Sequence, residues 1–261
     1  MGNIFFLLLK LKLINKDNVL FIIFSRLYYI TGLSIFNKYS TINTPKFKSL
    51  PLHFTYFEKV YGIIKSNSDN RQINFNKKNI LEIGGGNFWG LMPFFAKYNS
   101  KTVTNIDIIL DNQIINSNFV WRKYINKISS YVSIDKINKL KFHNYEATIE
   151  NLKTDLKFDV VVSVSCLEHI IDINSFFKNI KKFTNKNSNH IHIVNFTNHI
   201  SKKEPFRYIY EHDKSSYLKK FKTKINLLRL SDFEKTLELY DFTYKSIILS
   251  KAPIKEKKIN N

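Results

Sequence analysis

The chain reads as an α/β protein on a doubly wound, mostly parallel sheet, with a helical N-terminal extension. Three observations predict this class. Short apolar runs of strand type recur, NILEIG at 79–84, KTVTNID at 101–107 and FDVVVSVS at 158–165. Segments with apolar residues at helical spacing lie between them. The run at 158–165 is apolar almost throughout, as in a strand covered on both faces. Strands that alternate with helices build a parallel sheet.

The elements follow in order. FTYFEKVYGIIKS, 54–66, has helical spacing, and SNSDNRQINFNKKN, 66–79, is a polar connection to the first strand. Helical spacing resumes from Phe88 to Tyr98, and the second strand ends in Asp107. A helix over Ile114–Ile128 leads to a third strand, KLKFHNYE at 139–146. The fourth strand is followed by a helix from Ile173 to Phe183 and a fifth strand, HIHIVNFT at 190–197. Residues 198–224 change texture, with aromatics, charges and histidines crowded together. LRLSDFEKTLELYDF, 228–242, reads as a helix with Ser231 as N-cap and Glu234 completing a capping box. YKSIILS, 244–250, reads as a sixth strand, with no clear seventh after it. The divisions expected are an extension over 1–55, a domain over 56–250 carrying an insertion at about 197–224, and a polar tail over 251–261.

Composition narrows the function. A chain that is 44% hydrophobic and 15% aromatic folds around a core. Its one cysteine, Cys166, forms no internal disulfide and reads as a small buried hydrophobe, so a reducing, cytoplasmic compartment is the default. The net charge is +20, yet only Arg26, Arg71, Arg122, Arg207 and Arg229 are arginine. Lysine spread along an asparagine-rich chain lacks the clustered arginine of nucleic-acid readers, so no nucleic-acid partner is expected. The excess favours anionic membranes or anionic substrates at low salt.

The first 36 residues are the most apolar, but Lys10, Lys12, Lys16, Asp17 and Arg26 break every run of spanning length. A secretory signal is not expected, and Phe6 stands where myristoylation needs Ser or Thr. Two readings stay open, helices packed on a protein surface or an amphipathic segment on the inner face of a membrane.

Chemistry is carried by the strand ends, where open parallel sheets bind ligands. Gly84-Gly85-Gly86 follows the first strand, but Trp89 stands where a dinucleotide fingerprint needs its third glycine, and Gly90 comes one place late. A Lys-Ser/Thr pair is also missing, so phosphate cradling and a nicotinamide enzyme are disfavoured. Glu82 would repel a pyrophosphate and suits an ammonium or sulfonium. Gly85, Phe88 and Trp89 have no task in this reading.

The pattern Glu82-Ile83-Gly84-Gly85-Gly86, with Asp107 about 20 residues on, Glu146-Ala147 ending the third strand, and FDVVVSVSCLEHI at 158–170, resembles the class I S-adenosylmethionine-dependent methyltransferases. The resemblance runs over about Tyr56 to Leu249. It implies a Rossmann-like methyltransferase fold and S-adenosyl-L-methionine as cofactor; no metal is expected, since nothing suggests zinc spacing. It assigns Glu82, Gly84, Gly86, Asp107, Glu146, Ala147 and Ser163 to the cofactor, Asp107 on the ribose hydroxyls and Glu146-Ala147 at the adenine amino group. Structural alternatives stand beside these: Glu82 as a carboxylate under backbone amides at a helix start, and Asp107 as a turn residue.

A hydroxyl acceptor needs a base, and His199 and His169 are the candidates, with His212 and Glu211 outside them. Asn195, His199, Pro205-Phe206 and the LRLSD run also resemble methyltransferases of bacterial surface-polysaccharide and lipid-linked sugar pathways. That implies a small-molecule or glycan acceptor met by Lys202, Lys203 and Arg207. A membrane-docked scaffold that keeps the fold without turnover is the competing reading.

Overall fold

A computed structural model describes residues 45–67, 73–86, 88–200, 204–206, 209, 212–221 and 225–250. The apolar N-terminal segment, Lys202, Lys203, Arg207 and Glu211, and the polar tail lie outside them. No helix among the described residues is long and apolar enough to cross a membrane. The chain divides into two compact units, Met1–His53 with Asp111–Ser130, and Phe54–Leu110 with Tyr131–Asn261.

In the first unit, α1 (Pro45–Lys48) precedes the start of α2 (Leu50–Ser66), which runs across the boundary expected at residue 55. The helix expected over 114–128 is two helices, α4 (Asn112–Ile115) and α5 (Asn118–Ile128). Ser117 divides them. Its backbone is extended, and its hydroxyl accepts from the Val120 amide as the N-cap of α5. Val120, Tyr124 and Ile128 then recur every fourth residue along one buried face.

The second unit holds the sheet. Its strands are β1 (Asn79–Ile83), β2 (Thr102–Asp107), β3 (Lys141–Glu146), β4 (Phe158–Val164) and β5 (Thr184–Ile193). They are all parallel, in the order β3-β2-β1-β4-β5. The chain winds outward from β1 to β3, then returns to place β4 on β1's other side. The β1/β4 seam is therefore the switch point, where a crevice opens at the carboxyl ends. Central β1, β2 and β4 are buried on both faces, which accounts for their near-continuous apolar runs, while edge β3 is largely exposed.

Leu81 and Ile83 of β1 join Val161, Phe176, Phe177, Ile180 and Phe233 in one core. A second cluster is aromatic: Phe57, Tyr61, Phe75, Phe94 and Tyr98 meet at centroid distances of 4.6–6.2 Å. Phe75 is only 1% exposed, although it comes from the stretch read as a polar connection.

Several boundaries differ from expectation for identifiable reasons. Helix α3 (Met92–Lys97) starts four residues late, because Trp89 and Gly90 hold left-handed backbone at φ 56° and 51° and Pro93 suits a first turn. Strand β5 begins at Thr184, opposite Phe158, and ends at Ile193, opposite Val164, where its partner strand ends. The last helix, α9 (Leu230–Leu239), is entered from Arg229, not Ser231. The Asp232 carboxylate accepts from the Arg229 amide at 2.7 Å, the reciprocal half of a capping box. The sixth strand is absent: residues 242–250 carry no strand, and Ile248 is 63% exposed. Tyr244 and Ser246 instead donate to Glu238 and Glu234 of α9, holding this segment by side chains.

Helix α6 (Ile134–Lys139) precedes β3, and between β4 and α9 lie a short 3₁₀ turn at Leu167–His169, α7 (Ile173–Ile180) and α8 (Lys214–Phe221). Within the expected insertion, Tyr217 of α8 is fully buried with Ile209 and Ile225.

Candidate active site

The glycine turn after β1 is shaped by what lies under it. A Cβ on Gly84 would sit 2.6 Å from Cys166 Cβ and 2.7 Å from its Sγ, and Gly84 has φ +82°. The loops after β1 and β4 thus meet at the switch point with room for hydrogen only. Gly85, without a task in the sequence reading, lies over Asn105, whose Oδ1 would be 2.3 Å from an added Cβ. Phe88 and Trp89 are core residues, 6% and 4% exposed.

Glu82 is 4% exposed, and both its oxygens accept from the Leu91 amide at 2.8 and 2.9 Å. Gly90 passes so close that a Cβ would overlap the carboxylate at 2.3 Å. Glu82 thus holds the Trp89–Leu91 turn from beneath, the arrangement that the structural alternative describes.

Asp107 ends β2 and ties the loops together. Its Oδ2 accepts from the Gly86 amide at 2.7 Å and its Oδ1 from the Ile109 amide at 2.9 Å. A carboxylate has about four acceptor positions, so each oxygen retains capacity for a further donor. Asp107 is in register with Glu146, the exposed last residue of β3, and half-buried Ala147 follows. Two carboxylates therefore close adjacent strand ends.

Ser163 is fully buried, with Oγ 2.8 Å from His192 Nδ1. Strand alternation turns it inward. Ser165, two residues on, is exposed at the strand end with φ +49°. Burial pushes His192 down to about 3 and His190 down to about 4, so both are neutral at pH 7.

The ends of β4 and β5 bring His169 and His199 together, their ring centroids 5.2 Å apart. His199 holds φ +55°. Between them lies Glu168, which the sequence reading quoted within Leu-Glu-His but did not select. Its carboxylate is 4% exposed, with Oε1 3.9 Å from His199 Nε2, and the Glu168 and Asn195 backbone amides lie near it without making a well-formed hydrogen bond. Burial raises the Glu168 carboxyl, against the pull of backbone amides and of His169. Burial first, then the charge of His169, lowers His199. His212 stands apart, its Nε2 3.3 Å from Lys220. Burial, with Asp107 and Glu168 nearby, pushes the Cys166 thiol up to about 12, which suits packing and not nucleophilic chemistry.

Two buried asparagines set the loops that carry the histidines. Asn226 donates from its side chain to the Leu167 and Ile170 carbonyls at 2.7 and 2.8 Å, and from its amide to the Glu168 carbonyl. Asn198 donates to the Glu204 carbonyl, accepts from the Ile200 amide, and its carbonyl takes the Tyr217 hydroxyl. Asparagine abundance in this chain hid both.

A family model described as a methyltransferase domain matches residues 56–247, the span of the sheet and its helices. The chain belongs to the methyltransferase-domain family. Its cofactor is S-adenosylmethionine, and the donor set fits: carboxylates on Asp107 and Glu146 can accept from hydroxyl and amino groups. Asp107, Glu146 and the Gly84–Gly86 backbone are the groups of this methyltransferase that would hold it.

A curated relative, the ubiquinone biosynthesis O-methyltransferase of Rickettsia akari (strain Hartford), is 29% identical over 114 residues. That alignment covers 44% of this chain and 39% of the relative, so the match spans well under two thirds of its length. Among solved structures, the YcgJ protein of Bacillus subtilis is similar at 12% identity and a TM-score of 0.46, covering 73% of this methyltransferase and 71% of that chain. An S-adenosylmethionine-dependent methyltransferase from Clostridium acetobutylicum is similar at 18% identity and 0.33, covering 64% and 57%.

Proposed function

We propose that this chain transfers a methyl group from S-adenosylmethionine to a hydroxyl oxygen of a sugar or lipid-linked acceptor. The observation that carries the reading is the histidine pair, His169 and His199, whose ring centroids lie 5.2 Å apart beyond the Gly84–Cys166 contact from Asp107. An oxygen acceptor must lose a proton, whereas an amine or thiolate acceptor makes less demand for a base of this kind. The Rickettsia relative named as an O-methyltransferase supports an oxygen acceptor.

When bound, the cofactor supplies an electrophilic methyl on a sulfonium. The protein's contribution is largely positional. Asp107 and Glu146 accept from hydroxyl and amino donors, and the glycine turn lets backbone approach closely. Ser165–His169 and Asn195–His199 border the acceptor side. His199 takes the hydroxyl proton at Nε2, where Glu168 Oε1 at 3.9 Å offsets the charge gained.

The test is transfer of labelled methyl from S-adenosylmethionine into cell-envelope extract. Label in an alkali-stable ether, reduced at least tenfold by His199→Ala, is expected. Label in an ester or amine, or none although cofactor binds, would contradict the proposal, and the second result would favour the scaffold reading.

A further inference from the structure

Glu168 is more constrained than a charge-balancing neighbour of His199 requires. Its carboxylate is 4% exposed, and neither oxygen makes a well-formed hydrogen bond, the nearby Glu168 and Asn195 amides and His199 compensating it only in part. A charge buried this way is strongly unfavourable unless a cation or donors reach it. The backbone gives it no freedom to leave, because the Asn226 amide and side chain fix the Leu167–Ile170 turn on which it stands.

Among the described residues, the ligand-capable atoms of Glu168, His169 and His199 all lie within 4.8 Å of one another. We infer that these three side chains bind a divalent first-row transition ion through one carboxylate oxygen and two imidazole nitrogens. Mixed nitrogen and oxygen donors suit zinc, iron, manganese or cobalt, whereas magnesium and calcium favour all-oxygen sets. Bonds of about 2.0–2.2 Å bring ligand atoms closer than 4.8 Å, and rotation of the two imidazoles on their loops supplies the contraction. Three protein ligands leave a position open for a water or hydroxyl.

An oxygen bound at that position sheds its proton to solvent near neutral pH. An imidazole nitrogen that binds the ion cannot also take the acceptor's proton, so the base role of His199 belongs to the ion-free protein, and in the ion-loaded protein coordination supplies the activation. This role rests on the methyl-transfer reading; binding of the ion does not.

The experiment is titration of the full, untagged, chelator-stripped protein with Co²⁺, followed by its visible absorption. One ion per chain is expected, displaced by Zn²⁺ and at least tenfold weaker in His169→Ala and in His199→Ala. Affinity for S-adenosylhomocysteine should stay within twofold in both variants, which shows that they fold. Glu168→Gln should lose the ion and melt at a higher temperature than the metal-free wild type, since a neutral amide replaces the buried charge. No saturable spectrum, or one that survives His169→Ala/His199→Ala, would overturn the proposal. Co²⁺ binding without any affinity for S-adenosylhomocysteine would support the ion site and sink the methyl-transfer reading alone.

Discussion

At the ends of β1 and β2 the crevice is held by backbone. Amides of Leu91, Gly86 and Ile109 donate to Glu82 and Asp107, and glycines stand where a Cβ would strike Cys166, Asn105 or Glu82. At the ends of β4 and β5 it is held by side chains. Asn226 donates to the Leu167 carbonyl far back in the chain, Asn198 takes the Tyr217 hydroxyl on its carbonyl, and Glu168 is left buried without a well-formed hydrogen bond. The difference teaches how the two sides divide their tasks. A cofactor common to a family suits a turn fixed by backbone, while an acceptor particular to one member suits loops set by replaceable side chains.

The sharpest way to break the comparison is Gly84→Ala. The left-handed backbone and the 2.6 Å approach to Cys166 together predict a loss of about 3 kcal/mol in urea denaturation. Adding Cys166→Gly should recover the part due to crowding and leave the backbone part. A stable Gly84→Ala would mean the two loops are not in contact.

Asn226→Ala tests the other side. It leaves the Leu167 and Ile170 carbonyls without their buried donor, a cost of about 2 kcal/mol. Methyl transfer should fall at least tenfold as His169 shifts. Affinity for S-adenosylhomocysteine should change less than twofold; a larger change would mean that the two sides are not separable.

A smaller, graded effect comes from the histidines of β5. Their folded values of about 4 and about 3 lie below the ordinary 6.5, so the unfolded chain binds more protons at intermediate pH. Stability is intact above pH 6.5 and falls as pH drops toward those values, by up to about 1.4 kcal/mol per pH unit for each histidine. Thermal unfolding from pH 7 to 5 should show the slope, and His192→Leu should flatten it. A flat wild-type profile would contradict their burial as neutral rings.

Much of the backbone-held side was legible in the sequence. An acid, a glycine turn and Asp107 at a set distance follow from strand-end geometry, and the alternation of apolar runs carried the sheet. Glu82 was legible in position but not in direction, since strand alternation alone does not say which groups cover a buried carboxylate. The Ser163 hydroxyl meets His192 across the β4/β5 pairing, a partner that no local pattern announces. The side-chain-held half was harder to read. His169 and His199 stand 30 residues apart and meet only because β4 and β5 pair, and Asn226 carries no local signal in an asparagine-rich chain. The segment 244–250 has strand composition, but a strand exists only where an edge accepts it, and its hydroxyls bond to α9 instead.

The central claim is that this family member binds its cofactor through Asp107 at the end of β2. Isothermal titration of the full chain with S-adenosylhomocysteine tests it most directly. One site per chain is predicted, weakened at least tenfold by Asp107→Ala through loss of charge-assisted hydrogen bonds of about 1.5–3 kcal/mol. No binding by the wild type, or unchanged binding by Asp107→Ala, would contradict the account.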